Sequence, residues 1–221
     1  MSGKKSFNIK FVMTEAIFSI TWFGPVLYYA LLNRAEIKHI EGSENFRKQT
    51  YRNRCELAST NGPLILTIPV EGNNKNKTNI KDIKLSDHGD WQRMHWNSIE
   101  SAYNSSPFFE FYSDDIRPFF EKKERWLFDY DEEIRIRMFD LLNIKGEVKI
   151  TDTYTNDFKV NEPIILDFRD TIQPKSTSLK DIEEDLIKPY YQVFERKFGF
   201  LPNLSVLDLL FNMGPEAILF L

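Results

Sequence analysis

The sequence predicts an α/β domain with a β-α-β opening, a mixed sheet, a β-hairpin insertion and several C-terminal helices. Three observations carry this. Residues 16–20 form a short apolar, β-rich run that Trp22-Phe23-Gly24 breaks. Pro25 then stands where a first helical turn accepts a residue without an amide proton, ahead of a helix over 26–34 and an alternating strand over 36–40. Second, residues 50–57 and 64–70 flank Asn61-Gly62-Pro63 as two strands about a turn. Third, apolar residues recur at three- and four-residue spacing between 91 and 142 and again between 203 and 213. In a parallel α/β sheet ligands sit at the carboxyl ends of the strands, which places Thr21, Trp22 and Phe23 beside any pocket.

Nothing in the composition divides the chain, so residues 1–221 read as one domain. Hydrophobic residues make up 42% and include 19 Phe, enough for a packed interior. A net charge of -4 argues against a nucleic-acid binder, so a local basic patch suits an anionic small-molecule ligand better than a polyanion. The single cysteine, Cys55, allows no internal disulfide and fits a reducing compartment. His39, His88 and His95 lack metal-ligand spacing, so no metal site is expected, and no motif names a cofactor. The basic start MSGKKSFNIK followed by the apolar run 16–32 resembles a leader or anchor. Ser19, Thr21, Gly24 and Pro25 interrupt that run, and the expectation is a cytoplasmic protein without membrane insertion.

The densest basic cluster lies in 45–70. Alternation over 50–57 puts Thr50, Arg52, Arg54 and Glu56 on one strand face, with Arg47 and Lys48 within reach. Arginine forks suit bidentate contact with phosphate or carboxylate. The plain alternative is a solvated face paired with Glu56 and neighbouring acids. A polar loop over 71–78 and a strand over 80–85 follow. Asp87 or Asp90 then caps a helix through Trp91, Met94, His95, Ile99 and Tyr103. His95 is a candidate general acid or base, and the plain alternative is a histidine packed between two tryptophans.

Ser106-Pro107 opens an aromatic helix with Phe108, Phe109, Phe111 and Tyr112. The amphipathic stretch 117–142 follows, with the acids of 129–133 read as the break between two helices. Strands are expected over 147–153 and 164–168, and a mobile polar loop over 169–185. Pro189 opens a helix through Tyr190, Tyr191, Phe194 and Phe198 that Gly199 closes. In the last helix Ser205, Asp208 and Asn212 share a polar face suited to a ligand; alternatively Ser205-x-x-Asp208 is a capping box.

The stretches QTYRNRCELASTNGPLILTIPV, GFLPNLSVLDLLFNMGPEA, WFGPVLYYALL and DWQRMHWNSIESAYNSSPFFEFY resemble the WbqC-like family of bacterial proteins. The likeness runs from about Ile17 to the C-terminus. Arg52-Asn53-Arg54, His95-Trp96, Pro202-Asn203-Leu204-Ser205 and Gly214-Pro215-Glu216-Ala217 are its most specific pieces. The resemblance implies a role in O-antigen and other surface-polysaccharide synthesis, by modification of a nucleotide-activated sugar. Many members carry His-Gln-Pro where this chain has Ser19-Ile20-Thr21, and a glycine-rich segment that is missing between Thr171 and Pro189.

The expected activity is a transferase acting on an activated, phosphate-bearing sugar or acyl donor. His95 and Asp208 are the candidate catalytic residues, and Arg52, Asn53, Arg54, Tyr191, Asn203 and Asn212 the substrate-binding ones. This requires the hairpin and the last helix to enclose one cavity. The alternative is a non-catalytic binding or scaffold protein that engages a protein partner through the aromatic surface of 91–112.

Overall fold

The computed structural model describes residues 13–71, 77–154, 165–169, 171–174 and 186–221. Strand β1 (Met13–Ser19) leads through α1 (Val26–Arg34) into β2 (Ala35–Glu41), which pairs with β1 in parallel. Strands β5 (Glu147–Ile150) and β6 (Ile165–Asp167) join on either side, giving a four-stranded sheet in the order β5-β2-β1-β6 with every pairing parallel. The β-α-β opening and the α/β class therefore stand. Antiparallel pairing is confined to a separate hairpin of β3 (Arg54–Ser59) and β4 (Gly62–Thr67). Ala16, Ile17 and Phe18 of the inner strand β1 are all fully buried, as expected of a parallel sheet covered on both faces.

Helices α2 (Trp91–Tyr103), α3 (Phe109–Ile116) and α4 (Leu127–Leu141) carry the aromatic core. A short α5 (Glu195–Phe198) precedes α6 (Val206–Met213), which ends at Gly214 with φ of 55°. A Cβ there would lie 2.5 Å from the Phe108 ring, so this glycine lets α3's entry pack on the end of α6. Among the described residues no helix is long and apolar enough to cross a membrane.

Four local expectations change. Residues 50–53 form a turn rather than strand, closed by Asn53 N–H donating to Thr50 O, and β3 begins only at Arg54. Arg52 and Arg54 are thus not side by side on one strand face. Instead of a strand over 80–85 there is a 3-10 turn at Ile80–Asp82, followed by bridges from Lys84 to Trp126 and from Leu85 to Val70.

Helix α4 runs unbroken through the acids of 129–133. Asp129 lies in its first turn, where the helix dipole favours negative charge; Glu132 pairs with Arg135 and Glu133 with Lys122, which limits their mutual repulsion. The segment 190–192 is not helical. Tyr190 and Gln192 both reach Asp208, and residues two apart share a side only in an extended chain. Most of the loop expected over 169–185 lies outside the described residues, as do 72–76 of the polar loop and the basic N-terminal residues.

Candidate functional site

The carboxyl edge of the parallel sheet carries a buried ionic network. Ser19 ends β1, Glu41 ends β2 and Glu44 follows it, while Arg169 follows β6. Arg52 comes in from the turn before β3 and is only 3% exposed. Its Nε donates to Glu44 Oε1 at 2.8 Å and its Nη2 to both Glu44 Oε2 and Ser19 Oγ. Ser19 Oγ lies 2.9 Å from Glu44 Oε2 and 3.1 Å from the carbonyl oxygen of Arg169, the two acceptors available to its one proton.

Arg169 Nη1 donates to the fully buried Glu41 at 2.8 Å, while its Nε and Nη2 donate to Asp167 at 3.0 and 2.6 Å. Glu41 also accepts from Thr151 Oγ1 and from the amide of Ser43. Both guanidiniums are thus fixed by charge-assisted hydrogen bonds before any ligand arrives.

The triplet Arg52-Asn53-Arg54, which leads into β3, keeps polar atoms without a partner. Arg52 spends Nε and Nη2 as described, and its Nη1 makes no hydrogen bond among the described residues. Asn53 donates through Nδ2 to Ile68 O at 3.1 Å, leaving Oδ1 buried without a partner, and Arg54 Nε is likewise buried and unpartnered. Among the described residues Glu44 holds the Arg52 guanidinium, and Glu41 and Asp167 hold that of Arg169.

A second buried network surrounds Asp208 of α6. Its Oδ1 accepts from the Tyr103 hydroxyl at 2.9 Å, and its Oδ2 accepts from Tyr190 at 2.7 Å and from Gln192 Nε2 at 2.9 Å. Tyr103 OH in turn accepts from Ala58 N of β3, and Gln192 holds Leu201 through both its amide N–H and its carbonyl. Burial pushes the Asp208 carboxyl up to about 6, against the pull of its three hydrogen bonds. Asp208 is 0% exposed. It joins β3, α2, α6 and the segment 190–201.

The neighbouring motif residues also form internal bonds. Asn203, held at φ of 60°, accepts from Leu27 N with Oδ1 at 3.0 Å. It thereby supplies the N-terminal cap that Pro25 lacks the side chain to give. Ser205 caps α6 by accepting from Leu207 N and donates to Phe23 O, so the capping role is real, but Asp208 does not close the box. Asn212 donates to Asp208 O one turn back and leaves Oδ1 buried without a partner.

The hairpin and α6 are in contact, with Ser205 N donating to Glu56 O at 2.7 Å. Among the described residues, however, the Arg52 and Asp208 networks share no partner.

His95 lies between Trp22 and Trp91, with ring centroids 5.5 and 5.4 Å away. Trp96, the next residue along, stacks on Phe109. Burial lowers the His95 imidazole to about 4, so at neutral pH it is the neutral ring, a weak base with no imidazolium proton to give. Tyr191 is 52% exposed and lines a cleft of about 390 Å³ with Gln192, Val193, Glu195 and Arg196. The Cys55 thiol is buried and pushed up, which makes it a poor nucleophile. Sequence reasoning singled out neither Glu41, Glu44 nor Arg169. Their one local signal is position, immediately at or after a strand's carboxyl end.

The model of a family described as the WbqC-like protein family matches residues 22–219. The matched span begins just after Ser19-Ile20-Thr21. The chain is also similar to "Uncharacterized protein Rv1507c" of Mycobacterium tuberculosis (strain ATCC 25618 / H37Rv), at 24% identity over 218 residues, covering 90% of this chain and 91% of that protein. No solved structure matches the chain.

Proposed function

The chain belongs to the WbqC-like protein family, and from that premise we propose that it is a transferase-type enzyme of surface-polysaccharide biosynthesis, acting on an activated, phosphate-bearing sugar or acyl donor. The anionic part of the donor binds at the carboxyl edge of the parallel sheet. The observation that carries this reading is the triplet Arg52-Asn53-Arg54. Arg52 is oriented by Glu44 and Ser19, and each of the three residues retains a polar atom with no partner among the described residues. A fixed guanidinium loses little freedom when it grips phosphate, which is the economy of a preorganised site.

Screening nucleotide-sugars and acyl carriers by thermal shift tests it, because a ligand selective for the native state raises the melting temperature. Arg52→Lys keeps the charge beside Glu44 but loses the fork, and is expected to weaken the hit about tenfold or more. A hit that Arg52→Lys leaves unchanged refutes the placement.

A second reading, a non-catalytic binding protein with the family fold, draws on Ser19. It occupies the place where the resemblance sets a histidine, and its hydroxyl is already engaged by Arg52, Glu44 and Arg169. Binding of a donor without turnover in the presence of saccharide acceptors decides for it. Its aromatic docking surface is small. Trp91, Trp96, Tyr103, Phe109 and Tyr112 are buried, whereas Phe111 is 71% exposed.

A further inference from the structure

The hairpin leaves part of one strand edge open. Ile68 N–H donates to Asn53 O at 2.9 Å, which fixes the alternation of the pair: Leu64 and Leu66 turn their backbone groups toward β3, whereas Pro63, Ile65 and Thr67 turn theirs away. The same alternation turns Glu56 and Ala58 of β3 outward, and both find partners. Glu56 O accepts from Ser205 N at 2.7 Å, and Ala58 N donates to the Tyr103 hydroxyl at 3.1 Å.

Past the end of β4 the outer edge is covered as well. Pro69 O accepts from Ser86 N and Glu71 N donates to Lys84 O, both at 2.9 Å, around an antiparallel bridge of Val70 with Leu85. Short of that bridge, the outward N–H and C=O groups of Ile65 and Thr67 have no hydrogen-bond partner among the described residues. The Ile65 side chain is 55% exposed, while its neighbour Leu66 is buried in the core.

Exposed edges are commonly guarded by charge, and this one is not. Residues 57–70 include no Asp, Glu, Lys or Arg, and the hairpin's own charges, Arg54 and Glu56, sit one strand back on β3. Charge on β4 would repel its own image across a two-fold axis; its absence suits a partner identical to itself. An antiparallel pairing centred on Ile65 sets that residue opposite its own copy and Pro63 opposite the partner's Thr67. Each Ile65 N–H then reaches the partner's Ile65 O, and each Thr67 N–H the partner's Pro63 O. Pro63, which has no amide proton, is asked only to accept.

We propose that the outer edge of β4 is a dimerisation edge, to which a second copy of this chain adds its own β4 across a two-fold axis at Ile65, joining the two hairpins into one sheet. Because Ser205 and Tyr103 already occupy the outer edge of β3, growth stops at two copies.

Sedimentation velocity of the full chain from about 1 to about 200 µM reads the association, which so short a contact sets in the micromolar range. Wild type is expected to pass from monomer to dimer across that series. Ile65→Lys and Ile65→Glu, each facing its own charge on the axis, are expected to raise the dissociation constant about tenfold or more, and an equimolar mixture of the two to recover the dimer. The side chain is exposed and its amide is unused within the hairpin, so both variants are expected to keep the wild-type melting temperature at low concentration. Amide exchange in wild type needs no variant: protection of Ile65 and Thr67 is expected to rise with concentration, while that of Leu66, paired with Cys55, stays constant. A wild type still monomeric at the highest concentration, species larger than a dimer, variants that dimerise as wild type does, or unprotected Ile65 and Thr67 amides each overturn the proposal. Variants that dissociate alone and fail to pair when mixed overturn the two-fold pairing at Ile65.

Discussion

Asp208 and Asp131 are both fully buried aspartates on helices, and both have carboxyl groups pushed upward by desolvation. Asp208 receives three hydrogen bonds, two from tyrosine hydroxyls and one from a glutamine amide, and stays within reach of ionisation at neutral pH. Asp131 receives none among the described residues. Burial alone therefore says nothing about the work an acid does. The number of donors aimed at each carboxyl sets how far burial pushes it toward the neutral acid.

The largest test of that contrast is deletion. Asp208→Ala leaves two tyrosine hydroxyls and an amide buried without their acceptor, and is expected to cost about 4 kcal/mol in urea unfolding. Asp131→Leu removes an unpartnered acid of similar size and is expected to be neutral or stabilising. Equal losses at the two sites would erase the distinction.

Next is pH. The folded Asp208 carboxyl titrates at about 6, above its unfolded value of about 3.9. The folded state therefore binds this proton more tightly, so the contribution is complete below about pH 4 and is lost as pH rises through about 6. The loss is about 3 kcal/mol at most. It is read as the difference in urea midpoint between wild type and Asp208→Asn, with the variant showing the flatter profile.

A smaller effect separates a cap from a ligand contact. Asn203→Ala removes the cap of α1 and puts alanine at a left-handed position, for a combined cost of about 2 kcal/mol. If Asn203→Ala instead weakened donor binding at unchanged stability, Asn203 would move from the scaffold to the site. The least effect is expected at Tyr191→Ala. Its ring is exposed, so stability should shift by no more than about 0.5 kcal/mol. A larger loss in chemical denaturation would mean that the ring is packed.

The β-α-β opening, the hairpin and the major helices were legible because periodicity, Pro25, Gly62 and Ser205 act over a few residues. The networks were not. Arg52 is decided by Glu44, eight positions back, and by Ser19, thirty-three back. Arg169 meets Glu41 across 128 positions. The extended run at Tyr190 and Gln192 follows from Asp208, which attracts two side chains that a helix would turn apart. Arg52 and Arg54 stood out in the sequence as charge, while the burial of Arg52 depended on partners that no local pattern announces.

The cap that Asn203 provides for α1 spans 176 positions. Until residues near 203 have left the ribosome, an emerging polypeptide has no Asn203 side chain to accept from the Leu27 amide, so α1 first forms without its cap. The cap therefore closes only when both ends of the chain are present, a non-local contact of the kind that slows folding.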